Sequence, residues 1–283
     1  MLTFSKMHGI GNDYIYINCF QETVTDPEKL SIFMSNVRFG VGSDGLVLIL
    51  PSEVADFRMR IFNADGSEAM MCGNATRCVG KYVYEHGMTD KTEVSLETNS
   101  GIKYLTLYVN EATNEVDAVK VDMGKAILKP AEIPVADDGD RFIAKPVVVD
   151  GVSYDMTCVS MGNPHAVVFL PEIDSLDLEK MGPSFEHHPL FPNRVNTEFI
   201  RVIDDHTLQM RVWERGSGET FACGTGACAA AVASVLNGYC KREQEILIHL
   251  RGGDLRIIYH NDESVTMIGP ATFIFEGKME YPV

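Results

Sequence analysis

Apolar residues fall in short alternating or continuous runs rich in Val, Ile, Phe and Tyr: YIYIN, LVLIL, FRMRIF, TLYV, AVVFL, LQMRVW, ILIHL and VTMI. Runs this short, separated by turn residues, predict strands. Two stretches read differently. Residues from about Ala75 to His86, stopped by Gly87, and from about Gly226 to Asn237, stopped by Gly238, predict helices.

The strands and helices recur. FRMRIFNADGSEAMMCGN (57–74) aligns with LQMRVWERGSGETFACGT (208–225) at an offset of 151 residues. Met59 falls on Met210, Arg60 on Arg211, Glu68 on Glu219, Cys72 on Cys223 and Gly73 on Gly224, while Asn63 lies over Glu214. The same offset brings Asn12 of GIGNDY onto Asn163 of MGNPHA, so an asparagine precedes each cysteine by 60 residues. A period of this length means a duplicated domain. The expected borders are the polar, Gly- and Pro-bearing stretch near 122–130 and the turn at Gly269-Pro270. That gives a first half of residues 1–122 with a returning strand from 269–283, and a second half of 123–268.

Composition narrows the partners. With 45% apolar residues over 283 positions, each half can build its own core. A formal charge of -16 disfavours nucleic acid and anionic membrane surfaces, which need a basic patch, and leaves a small molecule or a protein as the expected partner. The start, MLTFSKMHGIGNDYIYIN, lacks the parts of a signal peptide, and no long apolar run follows, so a cytoplasmic location is expected. Seven cysteines at scattered spacings are an odd number and not a disulfide framework. Cys72/Cys78 and Cys223/Cys228 have no nearby histidine and do not match zinc-knuckle spacing, so no metal is expected.

GVGSDG (40–45) matches a dinucleotide-binding pattern, but a strand-like run follows it where that fold needs a helix, so it reads as a tight turn. ACGTGA lacks the lysine of a phosphate-binding loop. Its position is more telling. Cys72 and Cys223 both stand at predicted helix starts, where unpaired N–H groups and the helix dipole favour negative charge and lower a thiol's pKa. The N–H groups of Gly73, Asn74, Gly224 and Thr225 could grip a substrate carboxylate. One cysteine as thiolate could then take an α-proton while the other returns a proton to the opposite face, with no pyridoxal phosphate. Each cysteine taken singly is more often a small buried residue; the shared placement in the repeat favours chemistry. Cys19, Cys78, Cys158, Cys228 and Cys240 lack that context and read as structural.

In order along the chain, MHGIGNDY, NADGSEAMMCGNATRC, MGNPHAVVF, RVNTEFI and ERGSGETFACGTGACAAA resemble the diaminopimelate epimerase family over nearly the whole length. Proline racemases share the two-cysteine plan, but their first cysteine is typically followed by Gly-His, against Gly73-Asn74 here. The resemblance implies an α+β fold of two pseudo-symmetric duplicated domains, each a strand-rich, barrel-like unit around a central helix, with the active site in the interdomain cleft. It implies a homodimer, no cofactor, and an amino acid substrate. Carried over by motif, Cys72 and Cys223 are the acid and base, His165 and Glu214 influence catalysis, and the substrate contacts are Asn12, Asn63, Asn163, Asn196, Glu214 and Arg215. Gly73, Asn74, Gly224 and Thr225 match the family's carboxylate-holding helix starts. A substrate with an amino acid head at each end explains the set, since its far carboxylate suits Arg215 and amide donors.

The chain departs from the family at Gly45, where many members have a glutamine. Other readings of the same residues stay open. The asparagines lie in turn-like sequence, Glu214 and Arg215 could form a surface pair, and His165 could be a satisfied loop residue. As a whole the chain could be a racemase of a one-headed amino acid, or a thiol redox sensor using Cys72 and Cys223.

Overall fold

The computed structural model describes residues 1–281. The chain divides into two compact units. One runs from Met1 to Asp122 and takes in the chain from Ile268 onward; the other runs from Met123 to Met267.

In the first unit, strands β1 (Leu2–Gly9), β2 (Asn12–Asn18), β3 (Gly45–Leu50), β4 (Phe57–Asn63), β5 (Glu68–Ala69), β6 (Glu93–Thr98), β7 (Gly101–Val109) and β8 (Val116–Lys125) accompany helices α1 (Pro27–Ser35) and α2 (Gly73–Glu85). In the second, β9 (Lys145–Val149), β10 (Val152–Ser160), β11 (Pro164–Phe169), β12 (Asn196–Asp204), β13 (Thr207–Glu214), β14 (Gly218–Glu219), β15 (Glu245–Leu250), β16 (Gly253–Tyr259) and β17 (Ser264–Gly269) accompany α3 (Leu178–Glu186) and α4 (Gly224–Leu236). The last strand, β18 (Thr272–Met279), lies antiparallel to β1.

The duplication holds at the level of register. In the first unit β1 pairs antiparallel with β2, β2 parallel with β3, β3 antiparallel with β4, and β4 parallel with β6. In the second, β10, β11, β12, β13 and β15 repeat that sequence of pairings. Ile15 opposes Leu46 in one unit and Ala166 opposes Thr197 in the other; Leu46 opposes Phe62 and Thr197 opposes Trp213. Every one of these positions keeps the sequence offset. Beyond the central helix the offset grows by one, because Phe57 meets Leu96 while Leu208 meets Ile248.

The strands of each unit pack against one helix. α2 packs on β1, β2 and β7, and α4 packs on β10, β11, β12, β15 and β16. The all-small run Ala229–Ala233 of α4 is fully buried, as a helix apolar on all sides must be. In α2 the backbone approaches its sheet closely at Gly80, where a Cβ would stand 3.0 Å from Leu107 Cδ2 and 3.3 Å from Leu105 Cδ1.

Both central helices start two residues earlier than the sequence suggests, at Gly73 and Gly224, because the cysteines themselves are the N-cap residues. They end as expected, with Gly87 and Gly238 at φ of 65° and 78°. α1 and α3 were not anticipated, although α1 has an Asp26 cap and Pro27 in its first turn. In α3 the internal Pro183 disguised the helix. GVGSDG is a turn leading into β3, with Gly42 at φ of 80°. Among the described residues no helix is long and apolar enough to cross a membrane.

A side chain larger than hydrogen at Gly80 must push into Leu105 and Leu107. Gly80→Val is expected to cost about 1–3 kcal/mol and to lower the thermal midpoint, read by differential scanning calorimetry. An unchanged midpoint would show that this contact is loose.

Candidate functional site

One bidentate ion pair fixes the approach to each cysteine. Arg60 holds Glu68 through Nε and Nη2 at 2.8 and 2.9 Å, and Arg211 holds Glu219 through the same atoms at 2.8 and 3.0 Å. Each pair ties the strand before the turn to the two-residue strand after it, β4 to β5 and β13 to β14. The chain then enters the helix at Cys72 or Cys223.

In the first unit Asn12 gathers the site. Its Oδ1 accepts from Cys72 Sγ at 3.5 Å and from Asn74 Nδ2 at 3.1 Å, while its Nδ2 donates to Asp44 Oδ2 at 2.7 Å. Asn74 is held in turn by the fully buried Arg77, whose Nη2 donates to Asn74 Oδ1 at 2.9 Å and whose Nε donates to the Pro270 carbonyl at 3.1 Å. Burial raises the Tyr14 hydroxyl well above its ordinary range, and the neighbouring Cys72 and Asp44 raise it further. Burial also raises the Asp44 carboxyl. Asn63 is the last residue of β4, and its Nδ2 donates to Ser67 Oγ in the turn that follows at 3.0 Å.

Gly45 stands at a crowded point of the backbone. A Cβ at Gly45 would stand 2.0 Å from the Phe62 carbonyl oxygen and 2.9 Å from Tyr14 Cε1, so the position accepts no side chain in this backbone. Its counterpart in the other unit, Asn196, has room. Asn196 Nδ2 donates to the Pro164 carbonyl at 2.9 Å, and Asn196 Oδ1 accepts from the Arg215 N–H at 2.9 Å.

In the second unit Cys223 is buried and its Sγ accepts from the Gly226 N–H at 3.4 Å, with Thr225 Oγ1 at 3.6 Å. Burial pushes the Cys223 thiol well above its ordinary range, the carboxylates of Glu214 and Glu198 push it further, and Thr225 and the Gly226 N–H oppose them. Glu214 is raised chiefly by burial and accepts from the Thr220 hydroxyl at 2.5 Å. Arg215 is exposed and its Nη1 donates to the Asn193 carbonyl at 2.9 Å, so Glu214 and Arg215 turn to different partners. His165 is fully buried. Its Nδ1 meets Glu198 Oε1 at 2.7 Å and its Nε2 meets Asn163 Oδ1 at 3.0 Å.

The folding thus brings Asn12, Cys72, Gly73 and Asn74 together in one unit, and Asn163, His165, Glu214, Cys223, Gly224 and Thr225 in the other. Asn63 and Arg215 sit at turns beside these groups. Sequence reasoning passed over Tyr14, Asp44 and Glu198. The signal for Glu198 was present: a carboxylate interrupts a buried strand where the offset places Val47 in the other half. Burial raises the thiols of Cys19 and Cys78 to about 11 and raises those of Cys158 and Cys240, which suits structural roles. Among the described residues the side chains close enough to share an ion are Asp204, Asp205 and His206, all exposed and already paired with one another.

A family model described as diaminopimelate epimerase matches residues 4–129 and 157–274. The chain belongs to the diaminopimelate epimerase family. It is 58% identical over 280 residues to the diaminopimelate epimerase of Acetivibrio thermocellus, covering 99% of each chain. It is 55% identical to the one from Agathobacter rectalis, again covering 99% of each, and 52% identical to the one from Methanococcus maripaludis, covering 99% of this chain and 100% of that one. The fold is similar to that of a probable proline racemase from Agrobacterium radiobacter, with a TM-score of 0.74 at 14% identity, over 100% of this chain and 94% of that one. A hydroxyproline epimerase from Agrobacterium vitis gives 0.71 at 16% identity, over 98% and 91%.

Two outcomes follow from this family member's site. Iodoacetamide at neutral pH should label half-exposed Cys72 before Cys223, whose raised pKa leaves little thiolate; peptide mass spectrometry reads the order, and equal labelling would contradict the shielding of Cys223. Gly45→Gln should lower the thermal midpoint instead of adding a substrate contact, and a folded variant with wild-type stability would show that the Phe62 carbonyl can move.

Proposed function

We propose that the chain interconverts LL- and meso-diaminopimelate without pyridoxal phosphate, using Cys72 and Cys223 as acid and base. One observation carries this reading: both halves of the duplication place a cysteine at the N-cap of a helix enclosed in sheet, at matching positions in matching registers. An α-proton is weakly acidic, so the carbanion formed on its removal needs stabilisation beside the carboxylate. First-turn N–H groups at Gly73, Asn74, Gly224 and Thr225 are suited to supply it, being fixed before charge develops. Inversion then requires two proton-carrying groups, one for each face of the carbon, and each unit contributes one sulfur. In one direction a thiolate takes the proton and the other thiol gives its own; the reverse reaction exchanges the roles.

The remaining residues follow the substrate's shape. Diaminopimelate has a second amino acid head, and Asn63, Asn163, Asn196, Glu214 and the exposed Arg215 offer amide, carboxylate and guanidinium groups to it. His165 and Glu214 shape the surroundings of Cys223. The relatives carrying the same name support this substrate, and a homodimeric enzyme acting in the cytosol, in lysine and cell-wall precursor synthesis, completes the reading.

The test is α-proton exchange in heavy water without added cofactor, followed by NMR on LL-diaminopimelate, meso-diaminopimelate and a one-headed amino acid such as histidine. Exchange is expected on diaminopimelate alone. Cys72→Ser and Cys223→Ser should each reduce epimerisation by about a hundredfold or more. Faster exchange on histidine would overturn the substrate, and epimerisation surviving both substitutions would overturn the two-base mechanism.

A further inference from the structure

Glu198 is a buried carboxylate that the mechanism above leaves without a task. It stands on β12 with no solvent exposure, and Oε1 meets His165 Nδ1 at 2.7 Å. Its other oxygen, Oε2, is buried with no hydrogen-bond partner among the described residues. A Cβ added at Gly226 would lie 2.7 Å from Glu198 Oε1 and 3.1 Å from Cys223 Sγ, so carboxylate and sulfur crowd one spot at the first turn of α4. Gly226 leaves that spot clear.

The duplication supplies a control within the molecule. Val47 holds the matching place on β3, fully buried, and shows that this frame closes with an apolar side chain there. A half-satisfied carboxylate is the costlier choice for folding, so its presence points to the neighbouring sulfur.

We propose that Glu198 is a positioning residue for Cys223: it fixes the His165 ring through Nδ1 and keeps a negative charge beside the sulfur, so that Cys223 holds its proton until substrate arrives. This rests on the reading of Cys223 as one of the acid–base pair. The charged groups that act on the Cys223 thiol are Glu214 on β13 and Glu198 on β12, and His165 on β11 is held against Glu198. Glu198 is the one among them that touches both the histidine and the space beside the sulfur. Removing its charge therefore favours the Cys223 thiolate.

The experiment follows iodoacetamide labelling of Cys223 and Cys72 against pH, by peptide mass spectrometry, together with epimerisation of diaminopimelate. In Glu198→Gln the labelling midpoint of Cys223 is expected to fall by about one pH unit while that of Cys72 stays in place. The kcat should fall about tenfold or more with KM changed by less than about twofold, and the thermal midpoint should not fall, since glutamine fills the same space. Glu198→Asp keeps the charge and should return the Cys223 midpoint towards wild type while kcat stays low, because the shorter arm loses His165. A Cys223 midpoint unmoved in Glu198→Gln, or moved together with that of Cys72, overturns the proposal. If Glu198→Gln does not fold, Glu198→Asp decides: wild-type kcat in that variant overturns it. Wild-type protein that fails to exchange the α-proton of diaminopimelate sinks the functional reading instead, and the labelling arm still decides Glu198.

Discussion

Each unit encloses the start of a helix among its strands, and the proposed chemistry needs that start to meet a ligand. The first N–H groups of any helix lack partners within it, and burying them unsatisfied is costly. A serine or aspartate at the N-cap would close the first turn on itself. Cysteine caps weakly. Cys72 Sγ turns its hydrogen bond to Asn12 Oδ1, and Cys223 Sγ accepts a long bond from the Gly226 N–H. The first turn of α2 is then held by surrounding groups, such as Arg77 on the Gly73 carbonyl at 3.3 Å and on Asn74, and under the proposed function its amides would meet the substrate carboxylate.

The same backbone frame is used twice with a cysteine at the same point, and the side chains around the two cysteines are where the copies differ. Tyr14 corresponds to His165, Gly45 to Asn196, Val47 to Glu198 and Asn63 to Glu214. Pairings and register are shared, so these differences carry no topological burden. They change the electrostatics around each sulfur instead. Cys72 is surrounded by amides, with a phenol and a carboxyl nearby, whereas Cys223 is enclosed by two carboxylates and an imidazole. Under the proposed two-base reaction the two thiols need complementary proton states, which the divergent side chains can set.

Much of this was legible in the sequence because it is periodic or repeated. The strand runs, the central helices with their glycine stops, and the paired cysteines follow from local pattern plus a single offset. The helices began two residues early because a sequence pattern marks the first periodic residue, while the cap is decided by φ and ψ at the cysteine. α3 was hidden by Pro183, which its helix tolerates near the C-terminal end. The departure at Gly45 was visible, but the crowding there was not: only the fold brings the Phe62 carbonyl and the Tyr14 ring to that point. Glu198 was overlooked for a related reason. A charge within an apolar run reads as a solvent-facing strand position until the sheet is closed over it.

Glu198 also shows how the molecule divides stability from activity. Leaving one oxygen of a buried carboxylate unsatisfied costs about 1–3 kcal/mol, a sizeable fraction of the 5–15 kcal/mol by which a typical domain is stable. The first unit avoids that cost with Val47 at the same point of the same sheet, so packing does not require the acid. The second unit accepts it beside Cys223, where Gly226 gives up a side chain to make room and His165 is pinned by one nitrogen to the acid and by the other to Asn163. A local conflict with folding, surrounded by residues that accommodate it, is what a site selected for chemistry leaves in a frame otherwise consistent at every level.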